Sequence, residues 1–306
     1  MSQLMKAIKD FKKNFELTLL ALPSIIFIFI FCYIPLYGLV LPFKNYNYRD
    51  GFFRSPWAGF ENFKFLVNSD AIIRITRNTV VMNALFIVFG TVISLILALL
   101  LFELARKYIK LYQTMLFIPF FVSWVVAAYA FRAFLDMENG FINRMLEFFG
   151  KEPIMWYSEP QYWPYILVLI SIWKGAGYGA IIYYTGLMGA DSEFYEASRI
   201  DGATRLQQTW YISLPLLKPL ISILVILSIG KIFYGDFGLF YNVTLDSSQL
   251  YSTTDVIDTY VYRALKSLGD ISMAATAGFY QSIVGFVLVL ASNWVVKKVN
   301  PDNSLF

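Results

Sequence analysis

Tyr195 to Pro219 reads Y-E-A-S-R-I-D-G-A-T-R-L-Q-Q-T-W-Y-I-S-L-P-L-L-K-P, a polar stretch in an otherwise strongly apolar chain. Apolar runs long enough to cross a bilayer stand on both sides of it, 162–188 before and 220–241 after. The stretch is therefore a loop at one membrane face. Its residues also specify an ordered shape. Asp191 or Ser192 supplies a cap for a first short helix. That helix runs through Phe194, Ala197 and Ile200 and stops at Gly202, a residue suited to the left-handed turn after a helix end. Thr204 and Gln207 have capping-box spacing for a second helix. Pro215 disfavours helix at Leu214 and predicts a bend before the next run. Helix, glycine hinge, helix and proline bend make a compact projection.

Outward from this loop the chain divides into apolar runs and polar connections. Of its 306 residues 58% are hydrophobic and 15% charged, too apolar a balance for a soluble domain of this size. Six runs emerge: 17–43, 79–102, 111–131, 162–188, 220–241 and 271–296. The second, at ~1.5 Å per residue, exceeds the ~30 Å hydrocarbon thickness with no charge in it. The first is too long for a signal-peptide core and lacks a clear small-x-small cleavage site, so it reads as an uncleaved span. The fold class expected is an all-α integral membrane protein with six transmembrane helices. One membrane domain, 17–298, carries the loop 190–218, and segments 1–16 and 299–306 flank it. Between spans, 61–66 and 71–75 read as short surface helices. Residues 252–268 read as an amphipathic helix, with Ile257, Tyr260, Val261, Ala264, Leu265 and Leu268 on its apolar stripe. Asp255, Asp258, Thr259, Tyr262, Arg263 and Lys266 form its polar stripe. That helix either covers one end of the bundle or offers a docking surface.

Composition also removes whole classes of chemistry. The chain has no histidine, and Cys32 is its one cysteine, so histidine acid–base chemistry and an internal disulfide are excluded. The spans contain no cluster of Asp, Glu and Cys for a membrane-embedded enzyme. A net charge of +4 gives no reason to invoke nucleic acid. No G-x-x-x-x-G-K-[ST] loop occurs; Gly230-Lys231 lacks the earlier glycine and the following Ser/Thr. If ATP drives this protein, another chain binds it.

Glu196-Ala197-Ser198, Gly202 and Ile212-Ser213-Leu214-Pro215 resemble the signature loop of inner-membrane subunits of ATP-driven, binding-protein-dependent importers. That pattern is Glu-Ala-Ala, a glycine, and Ile-x-Leu-Pro about ten residues on. Ser198 stands where the family has its second alanine. The fuller Glu-Ala-x-x-Ile-Asp-Gly-Ala form is similar to the carbohydrate branch, and Thr254-Asp255-Val256-Ile257-Asp258 resembles a stretch recurrent in oligosaccharide-importer permeases. The resemblance implies the type I importer permease fold and a place in the cell (plasma or inner) membrane among lipid. It implies a second homologous permease subunit, two ATP-binding subunits carrying ATP and magnesium, and an extracellular solute-binding protein that delivers a carbohydrate. This chain would then be a transport subunit with no cofactor of its own, not an enzyme. The loop becomes an ATPase-coupling site, with Phe194, Tyr195, Glu196, Ala197, Ser198, Ile200, Asp201 and Gly202 as its residues. Glu196 supplies charge, the others apolar or small surface and, at Gly202, a chain reversal; Arg199 and Asp201 serve either this contact or the local fold. Six spans put both termini on one side. Lys297, Lys298 and the resemblance make that side cytoplasmic; the Lys/Arg count alone is nearly balanced.

Three charges lie within or near spans: Lys174, Lys231 and Asp236. A charge at mid-membrane costs about 2.5–3.5 kcal/mol on insertion scales and so faces a partner or a wet cavity. On a helical wheel Lys231 shares a face with Tyr234, Gly235 and Gly238, and Asp236 points about 140° away. Two readings fit Lys231: with Tyr234 it forms a substrate-pathway patch for a hydroxyl-rich ligand, or it snorkels or pairs with another span. Lys174 lies beside Gly175-x-Gly177-x-Gly179, which no strand precedes; close helix packing explains that run. The competing class is a secondary transporter driven by an ion gradient. It requires a coupling carboxylate deep in a span, and only Asp236 qualifies.

Overall fold

The apolar runs set the architecture. The computed structural model describes residues 14–299. Most of the expected N-terminal segment and tail lies outside them. Among the described residues five helices are long and apolar enough to cross a membrane: Phe15–Phe43, Asp70–Glu103, Pro160–Met188, Arg205–Ile229 and Ile271–Trp294. Arg106–Phe121 and Trp124–Leu135 form a pair bent by 95° that supplies a sixth span, the third in chain order.

The second and fourth spans pack together along most of their length, and small residues permit it. Ala98 and Ala180 are fully buried. A Cβ on Gly177 would stand 1.8 Å from the Leu116 carbonyl oxygen of the third span, and one on Gly179 would stand 2.4 Å from Ser94 Oγ of the second. The glycine run is thus a packing surface at two of its three positions. Two apolar clusters tie the spans together. Met82, Trp163, Leu167, Leu239, Phe240 and Val243 gather at one end. Ala98, Leu101, Tyr183, Leu187 and Leu217 gather at the end that carries the 191–213 loop. The first span meets the bundle at one end only: its helix Phe15–Ile28 buries none of its residues, while Ile34–Phe43 packs against the last span, with the Phe43 and Phe279 rings 5.6 Å apart.

Four sequence expectations need correction. The helix expected at 71–75 is the first part of the second span, which runs unbroken over Asp70–Glu103. Its arginines find partners there: Arg74 pairs with Asp255 at 3.0 Å, and Arg77 donates to the Ser252 carbonyl. The third span is broken, not continuous over 111–131. Pro119 removes a helix N–H, Val122 and Ser123 turn extended, and Ser123 Oγ restarts the helix by accepting from Val126 N–H at 3.3 Å. The fifth span ends early. Its helix stops at Ile229, residues 230–236 form an irregular turn, and a short π segment follows at Leu239–Val243. The bend expected at Pro215 is absent, because Thr209–Ser213 is a π turn in which Leu214 N–H bonds the Thr209 carbonyl. The wider turn accommodates the proline, and helix continues from Arg205 to Ile229.

The amphipathic helix is also shorter than 252–268, and its apolar stripe faces inward over part of its length: Ile257 and Ala264 are buried, and Tyr260 and Val261 pack against the cluster of Ile75, Phe233 and Ile257. Asp255 and Val256 are extended, separating Tyr251–Thr254 from Ile257–Lys266. Of the polar stripe, Asp255 and Thr259 are buried, while Leu265 and Leu268 of the apolar stripe are exposed. Asp255, 1% exposed, is held by Arg74 and Arg263, and Arg263 also reaches Asp246 at 2.6 Å. Paired cations make the burial of that carboxylate tolerable. Asp258 accepts from Gly235 N–H at 2.6 Å and from Gln281 Nε2 at 3.1 Å. The helix therefore covers the bundle end opposite the loop through both its apolar stripe and its buried carboxylates.

Candidate functional site

The loop is built as two short helices clamped onto the bundle. Asp191 caps the first, Ser192–Ile200, by accepting from Glu193 N–H at 3.0 Å. Gly202 ends it at φ +79°, with Ala203 N–H on the Ser198 carbonyl at 2.9 Å. Thr204 and Gln207 cap the second reciprocally, Gln207 N–H to Thr204 Oγ1 at 3.3 Å and Thr204 N–H to Gln207 Oε1 at 2.7 Å. Arg205 then reaches Glu103 at the end of the second span, 2.7 Å away.

The eight residues assigned to coupling divide by direction. Tyr195 is buried, its ring 5.3 Å from that of Phe102 and its hydroxyl 3.0 Å from Ser213 Oγ. Ser198 donates to the Tyr195 carbonyl and accepts from Gln208 Nε2 at 2.7 Å. These two face the bundle and hold the helix; they offer little outward surface, contrary to expectation. Phe194, Glu196, Ala197, Ile200 and Asp201 face outward, Ile200 at 87% exposure. Gln208, buried under the first helix, was missed. Its signal was faint: a glutamine within an otherwise apolar-periodic turn.

The second feature is a cavity of about 450 Å³ between the second, fourth and fifth spans, midway between the two apolar clusters. Asn83, Ser94, Tyr178, Tyr183, Lys231 and Tyr234 contribute its polar lining. Lys231 and Tyr234 thus share a surface, although not the helical face on which they were placed, since residues 230–236 are not helical. Gly235 and Gly238 do not join them. Gly235 is bound through its N–H to Asp258, and a Cβ on Gly238 would lie 2.1 Å from the Trp124 ring. Both are close-packing positions.

Lys174 is occupied elsewhere. Its Nζ donates to the Phe120 carbonyl at 2.8 Å and to that of Val122, the free carbonyls at the break in the third span. It also lies 5.1 Å from the centre of the Trp124 ring. Trp124 Nε1 in turn donates to Asp236 Oδ2 at 2.9 Å, and Asp236 Oδ1 accepts from Leu239 N–H. Among the described residues no group of three or more His, Cys, Asp or Glu side chains could hold a metal ion.

Over residues 90–301 the sequence matches the family described as “Binding-protein-dependent transport system inner membrane component”. The chain belongs to this family. It is a multi-pass membrane protein of the permease class. Protein LplB of Bacillus subtilis (strain 168) is 35% identical, over 95% of this chain and 91% of its own. The polygalacturonan/rhamnogalacturonan transport system permease protein YteP of the same organism is 33% identical, over 94% and 89%. The fold is equally close to a solved one. A chain in the crystal structure of a bacterial ABC transporter involved in the import of the acidic polysaccharide alginate superimposes with a TM-score of 0.88 at 32% identity, over 96% of this chain and 99% of that one. A chain in the crystal structure of a bacterial alginate ABC transporter in complex with alginate pentasaccharide-bound periplasmic protein gives 0.86 at 32% identity, over 95% and 97%.

Proposed function

We propose that this chain is the permease subunit of an ATP-driven carbohydrate importer. It forms the translocation pathway with a second permease subunit, couples to two separate ATP-binding subunits that hold ATP and magnesium, and receives an oligosaccharide from an extracellular binding protein. The loop and both termini lie on the cytoplasmic side. The observation that carries this reading is the outward face of the loop helix: Phe194, Glu196, Ala197 and Ile200, presented on a helix that Tyr195, Ser198 and Gln208 fix to the bundle. Apolar anchors around one charge suit docking in a groove of a soluble partner. ATP favours the closed ATPase pair, and a helix clamped to the second and fifth spans passes that movement to them. The sugar-permease relatives and the binding-protein complex of a similar transporter support the reading. An ion-coupled carrier finds no free carboxylate at Asp236, which Trp124 and Leu239 already engage.

Two substitutions test the coupling. Glu196→Ala removes one side of a docking contact and is expected to weaken ATPase association or stimulated hydrolysis by about 2–5 kcal/mol. Gly202→Val has open space for its side chain but forces a branched residue to positive φ. Left-handed backbone costs an L-residue roughly 1–2 kcal/mol before branching is counted, and the strain falls on the hinge that fixes the loop's shape, so its effect on coupling should be the larger. The measurement is co-purification of the ATPase together with substrate-stimulated turnover. Normal association and turnover in both variants would reduce the loop to a connector.

A further inference from the structure

The cavity has a one-sided electrostatic character. Lys231 is its only charged lining residue; the rest are hydroxyl, amide, aromatic and aliphatic groups. Lys231 is exposed and, among the described residues, makes no side-chain hydrogen bond or ion pair. Lys174, by contrast, is saturated by carbonyls and rings.

Among the described residues, the four carboxylates of residues 236–258 are all engaged. Asp255 is taken by Arg74 and Arg263, and Asp246 by Arg263 and Tyr251. Asp258 is taken by Gly235 and Gln281, and Asp236 by Trp124 and Leu239. An unpaired ammonium at membrane depth is costly, and a neutral hydroxyl compensates it weakly. A carboxylate gives a charge-assisted bond about twice as strong as a neutral one. The rest of the wall suits a sugar skeleton. Asn83 Nδ2 is spent on the Thr79 and Ile232 carbonyls, which leaves its oxygen to accept. Tyr234, beside Lys231, has a hydroxyl with no partner among the described residues.

We infer that the cargo of this cavity is an anionic oligosaccharide, with Lys231 receiving a sugar carboxylate and Tyr234 bonding an adjacent hydroxyl. This rests on the reading of the chain as a sugar-importer permease and adds the charge of the cargo to it. The main rival is that Lys231 pairs with an acidic side chain of the second permease subunit.

The test uses the complete transporter with its ATPases and binding protein in liposomes. The probes are tetrasaccharides of uronic acids prepared from pectate and from alginate, their methyl-esterified neutral counterparts, and maltotetraose. Acidic probes alone are expected to be taken up. Lys231→Gln should lower that uptake more than tenfold, and Lys231→Arg should retain most of it. Each variant is first checked for assembly, and Tyr234→Phe, expected to lower uptake several-fold, gives a second reading if Lys231→Gln fails to assemble. Uptake of the neutral probes by the parent, or undiminished acidic uptake by Lys231→Gln or by Tyr234→Phe, overturns the inference. So does a lowered melting temperature of the cargo-free Lys231→Gln complex with its uptake unchanged, which would assign the lysine to the subunit interface. If an assembled complex hydrolyses ATP without stimulation by any probe, the sugar-importer reading itself falls.

Discussion

Asp258 illustrates how far a single residue can depart from its sequence appearance. It belongs to a polar stripe, yet it points inward to Gly235 N–H and Gln281. Burial pushes its carboxyl above the ordinary 3.8, against the hydrogen bonds that act the other way. The folded protein therefore holds this proton more tightly than the unfolded chain does. The stability gained from protonation is fully present below 3.8 and is lost as pH rises through the raised value. Asp258→Asn keeps an acceptor without the charge, so it should be more stable than the parent at neutral pH and show a flatter pH dependence. Asp258→Ala leaves the Gly235 N–H unpaired and takes from Gln281 Nε2 one of its two acceptors, and should cost about 1–3 kcal/mol. Thermal melts of detergent-solubilised protein at about pH 5 and 7.5 check the sign; an unchanged pH slope in the Asn variant would contradict it. Periodicity could not have shown this. The partners of Asp255 and Asp258 include Arg74 of the second span, Gly235 of the turn after the fifth and Gln281 of the last, and the Arg74–Asp255 pair joins residues 181 apart in sequence.

Elements were legible where their signals are local. The loop helices, their caps at Asp191 and Thr204 and the hinge at Gly202 need only neighbouring residues, and they stand as expected. The third span was misread because hydropathy records composition and not direction. Pro119 followed by Ser123 was the available sign of a break, but the cation that stabilises it is Lys174 on another span. A charge at a helix C-terminus satisfies carbonyls that the bilayer cannot. Lys174→Met is expected to cost about 1.5–3 kcal/mol for each well-formed bond lost, and Lys174→Arg much less. Unfolding measurements in detergent decide between them. If the Met variant melts with the parent, Pro119 and the Ser123 cap maintain the bend without the lysine.

The whole molecule alternates between two closed ends and an open middle. Large apolar side chains seal both ends, while the mid-depth cavity sets Lys231 and hydroxyl and amide groups among aliphatic and aromatic ones. This layering could not be read from six apolar runs, because the fifth run contains both a span and the turn that brings Lys231 and Tyr234 to the cavity. The orientation of the layers can be tested directly. In a Cys32→Ser background, membrane-impermeant thiol reagent added outside should label cysteines at Ser158 and Ser248 and leave one at Thr204 untouched. Labelling at 204 from outside would invert the molecule.

The bond between Lys174 and the broken span also has a history within each molecule's synthesis. Pro119 precedes Lys174 by 55 residues. At about 5–20 residues per second of translation, the interval is roughly 3–11 s. During it, the broken third span exists and its lysine does not. Two backbone carbonyls destined for the bilayer interior must meanwhile stay near water or inside the insertion machinery. Until the fourth segment is made, Pro119 and the Ser123 cap alone hold the bend, and the order of the gene becomes the order in which the membrane domain closes.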